Sequence, residues 1–93
     1  MAIFAVQYFY SAEPEQVAEI RPLHRAWESE HFDHGVLLAG GPLVNVPGAL
    51  LIFNAEDMQQ LAALLDTDPF DIAGCIGERV IEEWNPVFSN FNK

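Results

Sequence analysis

The stretch IFAVQYFY, Ile3 to Tyr10, decides the fold. Ile3, Ala5 and Phe9 fall on one parity and Phe4, Val6, Tyr8 and Tyr10 on the other, so a strand built from it is apolar on both faces. Ser11 to Pro14 breaks the apolar run, after which Val17, Ile20, His24, Trp27 and His31 recur at steps of three and four, one face of a helix. Gly35 is its natural stop, since glycine takes the left-handed C-terminal conformation at low cost. Pro22 lies inside this window and predicts a kink, or a second helix start near Arg21; Ser11 is a plausible cap.

Val36 to Ala39 reads as a short strand ended by Gly40-Gly41-Pro42, which opens a loop through Pro47-Gly48, and Ala49 to Phe53 is the next strand. Asn54, with Asp57 three residues on, suits the cap of a helix whose apolar stripe is Met58, Leu61, Ala62 and Leu65. Asp68-Pro69-Phe70-Asp71 starts another helical turn, Ile76 to Trp84 is a final strand ended by Asn85-Pro86, and a tail runs from Val87 to Lys93. The order β-α-β-β-α-β over a single domain, residues 1–93, is the α+β, ferredoxin-like arrangement: a four-stranded antiparallel sheet with its helices on one face. The other face is then uncovered and apolar, and a homodimer packed through its sheet faces is the economical way to cover it.

The 93 residues carry 4 Lys+Arg against 14 Asp+Glu, a formal net charge of −10. Phosphate contacts need clustered cations, and Arg21, Arg25, Arg79 and Lys93 are scattered among acidic neighbours, so nucleic acid is disfavoured as a partner. An anionic membrane surface is disfavoured on the same ground. The longest uncharged run, His34 to Ala55, is broken by Gly40, Gly41, Pro42, Asn45, Pro47 and Gly48 and does not read as a span. With no cation before Arg21 the N-terminus lacks a secretory n-region, and Cys75 is the only cysteine; a cytoplasmic location is the expectation.

His24 stands on the apolar side of the first helix, where a partly desolvated imidazole suits general acid–base work; alternatively it closes the edge of the core. Asp68 is the matching carboxylate, able to orient an imidazole, or simply to cap the turn begun by Pro69; one carboxylate can do both. Trp27, Phe70 and Trp84 are core residues or walls for a planar ligand, and Arg21 is placed to hold an anionic group or to pair with Glu19 or Glu28. His24, Glu28 and His31 share a helix face, but without the two-His-plus-Glu motif of metalloproteases or a cysteine pair they make a weak zinc site, and no metal is expected. His34 suits the end of the first helix. Gly40-Gly41-Pro42 lacks the lysine of a phosphate loop, no cofactor motif is present, and Cys75 reads as a buried filler.

Arg21-Pro22-x-His24, Gly35 with Leu37-Leu38, Gly41-Pro42, Asp68-Pro69-Phe70 with Ala73-Gly74, and Trp84-Asn85-Pro86 together resemble the YciI-like (YCII-related) family of the dimeric α+β barrel group. The resemblance implies a ferredoxin-like fold, a homodimer joined through its sheets, and an active site with a His–Asp pair, which maps onto His24 and Asp68. The wider group includes a dehydrochlorinase of a chlorinated hydroxyhydroquinone, muconolactone isomerases and small monooxygenases that need no metal. The short loop from Leu43 to Gly48 departs from the expected pattern and implies a reduced lid. Together these readings point to a small-molecule enzyme performing elimination or isomerisation on a small cyclic or aromatic compound without an organic cofactor. The competing expectation is a binding or interaction module of the same fold with no turnover.

Overall fold

Alternation along the first strand is resolved by burial: Phe4, Val6 and Tyr8 are buried, whereas Ile3, Ala5 and Phe9 are half-buried and Gln7 is exposed. A computed structural model describes residues 1–90; of the expected tail, Phe91, Asn92 and Lys93 lie outside the described residues. The elements are β1 (Ala2–Tyr10), α1 (Pro14–Asp33), β2 (Leu37–Pro42), β3 (Gly48–Ala55), α2 (Met58–Leu65), α3 (Pro69–Ile72) and β4 (Ile76–Trp84). The strands form one antiparallel sheet in the order β2-β3-β1-β4, the ferredoxin-like arrangement.

In register, Phe4 faces Phe53, Val6 faces Leu51 and Tyr8 faces Ala49, so these side chains share the face that packs against Leu61 and Leu65 of α2 and Trp27 of α1. Fully burying one such Leu or Phe side chain stabilises by about 1.5 to 3 kcal/mol. The opposite face carries Ala5, Leu50 and Ile52 beside Trp84, with Leu50 39% and Trp84 40% exposed, as expected of an uncovered sheet.

Local boundaries differ from expectation in four places. Gly40-Gly41-Pro42 does not end the strand: it belongs to β2, paired with Leu51, Leu50 and Ala49, and proline is tolerated because β2 is an edge strand. Asn54 is no cap, since its amide donates to Val36 and it sits within β3; Asp57 caps α2 instead, accepting from the Gln60 amide at 2.7 Å. Ser11 is not a cap either, because α1 starts at Pro14 behind Glu13, and the Ser11 amide donates to Cys75. Pro22 is absorbed within a single helix of 20 residues, with no second start. α1 ends as anticipated, with His34 as C-cap and Gly35 at φ +75°; the Gly35 amide donates to Phe32 and that of Val36 to His31.

Candidate functional site

Asp68 is directed inward by its own turn. Pro69 fixes the first helical position of α3, and the Asp68 carboxylate accepts from the Phe70 amide at 2.9 Å, so the cap holds the side chain under the helix. The far end is pinned by Gly74 at φ +74°, whose amide donates to Asp71 while that of Cys75 donates to Phe70; Cys75 then packs on Phe70 and Val17. This short helix therefore presents one carboxylate and one aromatic ring to α1.

His24 meets both. Its Nδ1 lies 2.8 Å and 3.0 Å from the two Asp68 oxygens, and its ring stacks on Phe70 with centroids 4.2 Å apart. Tyr8, reaching down from β1, donates its hydroxyl to the second Asp68 oxygen at 2.9 Å. Both His24 and Asp68 are buried, at 4% and 0% exposure, and no buried side-chain polar atom among the described residues lacks a partner. On the pocket side, His24 Nε2 faces the Glu28 carboxylate at 3.1 Å, one helical turn along α1.

An imidazole between two carboxylates is poised as a cation. Burial pulls the His24 pKa down, but hydrogen bonds and charges from Asp68 and Glu28 outweigh it and raise the value to about 9. Burial, then the Asp68 charge and hydrogen bond, push the Tyr8 pKa far up, so Tyr8 remains a neutral donor. Burial, with Asp68 behind it, also raises Cys75, whose thiol is inert filler.

The raised His24 value sets a stability profile. A folded pKa of about 9 against 6.5 unfolded gives stabilisation that is complete below pH 6.5 and lost as pH rises through 9. At about 1.4 kcal/mol per unit this amounts to about 3 kcal/mol. Denaturant melts of wild type and His24→Gln between pH 6 and about pH 10 check it; the wild type is expected to lose stability over this range and the variant to stay nearly level. Parallel curves for the two proteins would contradict it.

Above His24 opens a cavity of about 240 Å³, lined by Tyr10, Arg21, Arg25, Glu28, Gly40 and Phe70 among others. Arg21 and Arg25 have no ion pair among the described residues, whereas Arg79 is bound to Asp66 at 3.0 Å. In an acidic chain, two free cations on one rim make the pocket receptive to an anion.

The sequence-derived residues distribute unequally. His24, Phe70 and Arg21 line this cavity, and Asp68 lies buried behind His24, bonded to its Nδ1. Trp27 stands behind it, donating its Nε1–H to Thr67 at 2.9 Å and backing the His24 ring at 6.2 Å. Trp84 does not belong here: paired with Ile3, it lies beside Leu50 and Ile52 on the uncovered face, because its parity along β4 points it away from the helices. His31 turns to Trp27, edge-on at 4.8 Å, instead of joining His24 and Glu28, and among the described residues no cluster is arranged to hold a metal. His34 Nδ1 bonds the Glu30 carbonyl at 2.8 Å at the end of α1. Tyr8, Arg25 and the inward role of Glu28 were not anticipated; only the four-residue spacing of Glu28 from His24 carried a signal.

Comparison with solved structures places this fold among known ones. A 5-chloro-2-hydroxyhydroquinone dehydrochlorinase from Burkholderia phenoliruptrix, in complex with 2,5-dihydroxybenzoquinone, superposes with a TM-score of 0.77 at 20% identity, covering 89% of this chain and 93% of that one. A muconolactone isomerase gives 0.70 at 10% identity, covering 95% and 97%. An antibiotic biosynthesis monooxygenase gives 0.59 at 18% identity, covering 94% and 99%. No curated protein matches the chain significantly. At these identities the likeness is one of fold. The profile of the YCII-related domain matches residues 1–85, nearly the full length, and the chain belongs to that family.

Proposed function

We propose that this protein is a small enzyme that moves protons on a small, anionic, cyclic or aromatic compound, giving elimination, such as dehydrochlorination, or isomerisation. The observation that carries the reading is the His24 ring, fixed by a buried Asp68 at 2.8 Å and by Phe70, at the floor of a cavity rimmed by Arg21 and Arg25. As a cation, His24 serves as proton donor to a substrate oxygen, Asp68 orients it, and the arginines hold an anionic substituent. Phe70 supplies an apolar wall and Trp27 stiffens the ring from behind. The dehydrochlorinase and the isomerase among its structural neighbours support the choice of small cyclic substrates. The chemistry invokes no metal or organic cofactor. A cytoplasmic setting accords with the single buried cysteine; no helix among the described residues is long and apolar enough to cross a membrane.

The test is a screen for proton-transfer turnover on chlorinated hydroxyquinols, lactones and related anions, run in parallel with His24→Gln. Turnover that requires His24 supports the reading. Binding that is equal in both proteins, with no turnover in either, establishes the non-catalytic module instead.

The protein is further proposed to act as a single domain and to form a homodimer through the sheet faces, where Ala5, Leu50, Ile52 and Trp84 border a cavity of about 220 Å³. Sedimentation equilibrium at micromolar concentration is expected to give twice the 10.4 kDa chain mass for wild type and a single chain mass for Leu50→Glu. A monomeric wild type would refute the dimer.

A further inference from the structure

Among the described residues, Glu28 is the one carboxylate that both touches Nε2 of His24 and lines the cavity. Its Oε1 meets His24 Nε2 at 3.1 Å, while Oε2 lies close against β2: a Cβ built on Gly40 would stand 3.1 Å from it and 2.7 Å from Leu51 Cδ2. The glycine of this edge strand thus leaves room for the carboxylate. Glu28 also borders the groove that continues along Phe32, Leu37 and Leu38, so ligands approaching from either side pass it. Asp68, by contrast, is fully buried and saturated by His24, Tyr8 and the Phe70 amide, and cannot reach a ligand.

We propose that Glu28 is the substrate-facing proton acceptor of this pocket, with His24 as its fixed cationic partner. This deepens the acid–base reading above and rests on it. In elimination, the substrate C–H bond breaks, its proton passes to Glu28, the electron pair forms the new C=C bond, and the leaving group departs with its own bonding pair as an anion. In isomerisation, Glu28 returns the proton to a second carbon, and Arg21, Arg25 and the His24 N–H hold the charge that accumulates on the substrate oxygen between the two steps. One site then contains an acid and a base, separated by the environments of their side chains.

The groups facing His24 are Asp68 from α3, Tyr8 and Tyr10 from β1, and Glu28, Arg21 and Arg25 from α1 itself. β2 contributes Gly40, Gly41 and Pro42 to this wall, none of which titrates. With His24 titrating near 9, the two assignments give opposite pH profiles.

The experiment uses the full chain and 5-nitrobenzisoxazole, whose C3–H is removed by a base as its N–O bond breaks, releasing a coloured cyanonitrophenolate. Wild type is expected to outpace equimolar acetate, and Glu28→Gln, which keeps an acceptor for the His24 N–H, to lose at least about 100-fold. Glu28→Asp should retain more of the rate than the amide does. Without any variant, the wild-type rate should not climb between about pH 7 and pH 10 and should fall as His24 loses its proton. A rate rising through that range, or an undiminished Glu28→Gln together with a dead His24→Gln, overturns the assignment to Glu28 and leaves the acid–base reading standing. A wild type no faster than acetate overturns both.

Discussion

Asp68→Ala is expected to lower stability by about 3 to 5 kcal/mol, the range for removing one partner of a buried, hydrogen-bonded ion pair. The carboxylate accepts from His24, Tyr8 and the Phe70 amide, so alanine strands three buried donors at once, one of them cationic. It also removes the cap of α3, the helix that supplies the Phe70 ring beneath His24. Domains of this size hold about 5 to 15 kcal/mol in total, so the loss is a large fraction of what there is. The melting temperature should fall by at least about 12 °C at 4 °C or more per kcal/mol. Asp68→Asn retains the volume and one acceptor oxygen and should fall between the two. Calorimetry at pH 7 decides the matter: a melting point for Asp68→Ala within about 4 °C of wild type would show that the network is not what holds α3 to α1.

His24→Gln is expected to lower kcat/KM by about 10² to 10⁴ on any substrate the screen identifies, equivalent to about 3 to 5 kcal/mol of transition-state stabilisation. Glutamine preserves hydrogen bonding to Asp68 but neither donates a mobile proton nor carries charge. The loss should fall on kcat more than on KM, since the cation acts on charge that develops during reaction, whereas Arg21 and Arg25 hold charge already present in the ground state. The two predictions are read by different measurements, Asp68→Ala by its melting temperature and His24→Gln by the split between kcat and KM. Activity of His24→Gln within threefold of wild type would remove the imidazole from the reaction.

Much of this protein is local and therefore legible in the chain. A continuous apolar run marks β1, steps of three and four mark α1, Gly35 stops that helix, and Asp68-Pro69 opens α3; each signal needs only neighbours within a few residues. Element order followed, and with it the ferredoxin-like topology and the uncovered sheet face. His24 stood out as a titratable group on an apolar helix face and Asp68 as a carboxylate poised before Pro69, and the family resemblance joined them.

Composition and periodicity by themselves determined the elements, their order and a short set of candidate groups. Only the tertiary structure decided which of those groups meet. His24 and Asp68 are 44 residues apart, and Tyr8 and Asp68 are 60 apart, so their contacts depend on how α1 and α3 settle on the sheet. Trp84 went to the other face because side-chain direction in a strand reverses at every residue, and the β1–β4 register, set by long-range pairing, fixes the parity. Glu28 illustrates the same division: four-residue spacing puts it beside His24, but only the packing of α1 on β2 brings its carboxylate against Gly40 and the cavity. Spacing fixes which side chains share a face; the packing of one element on another fixes what that face confronts.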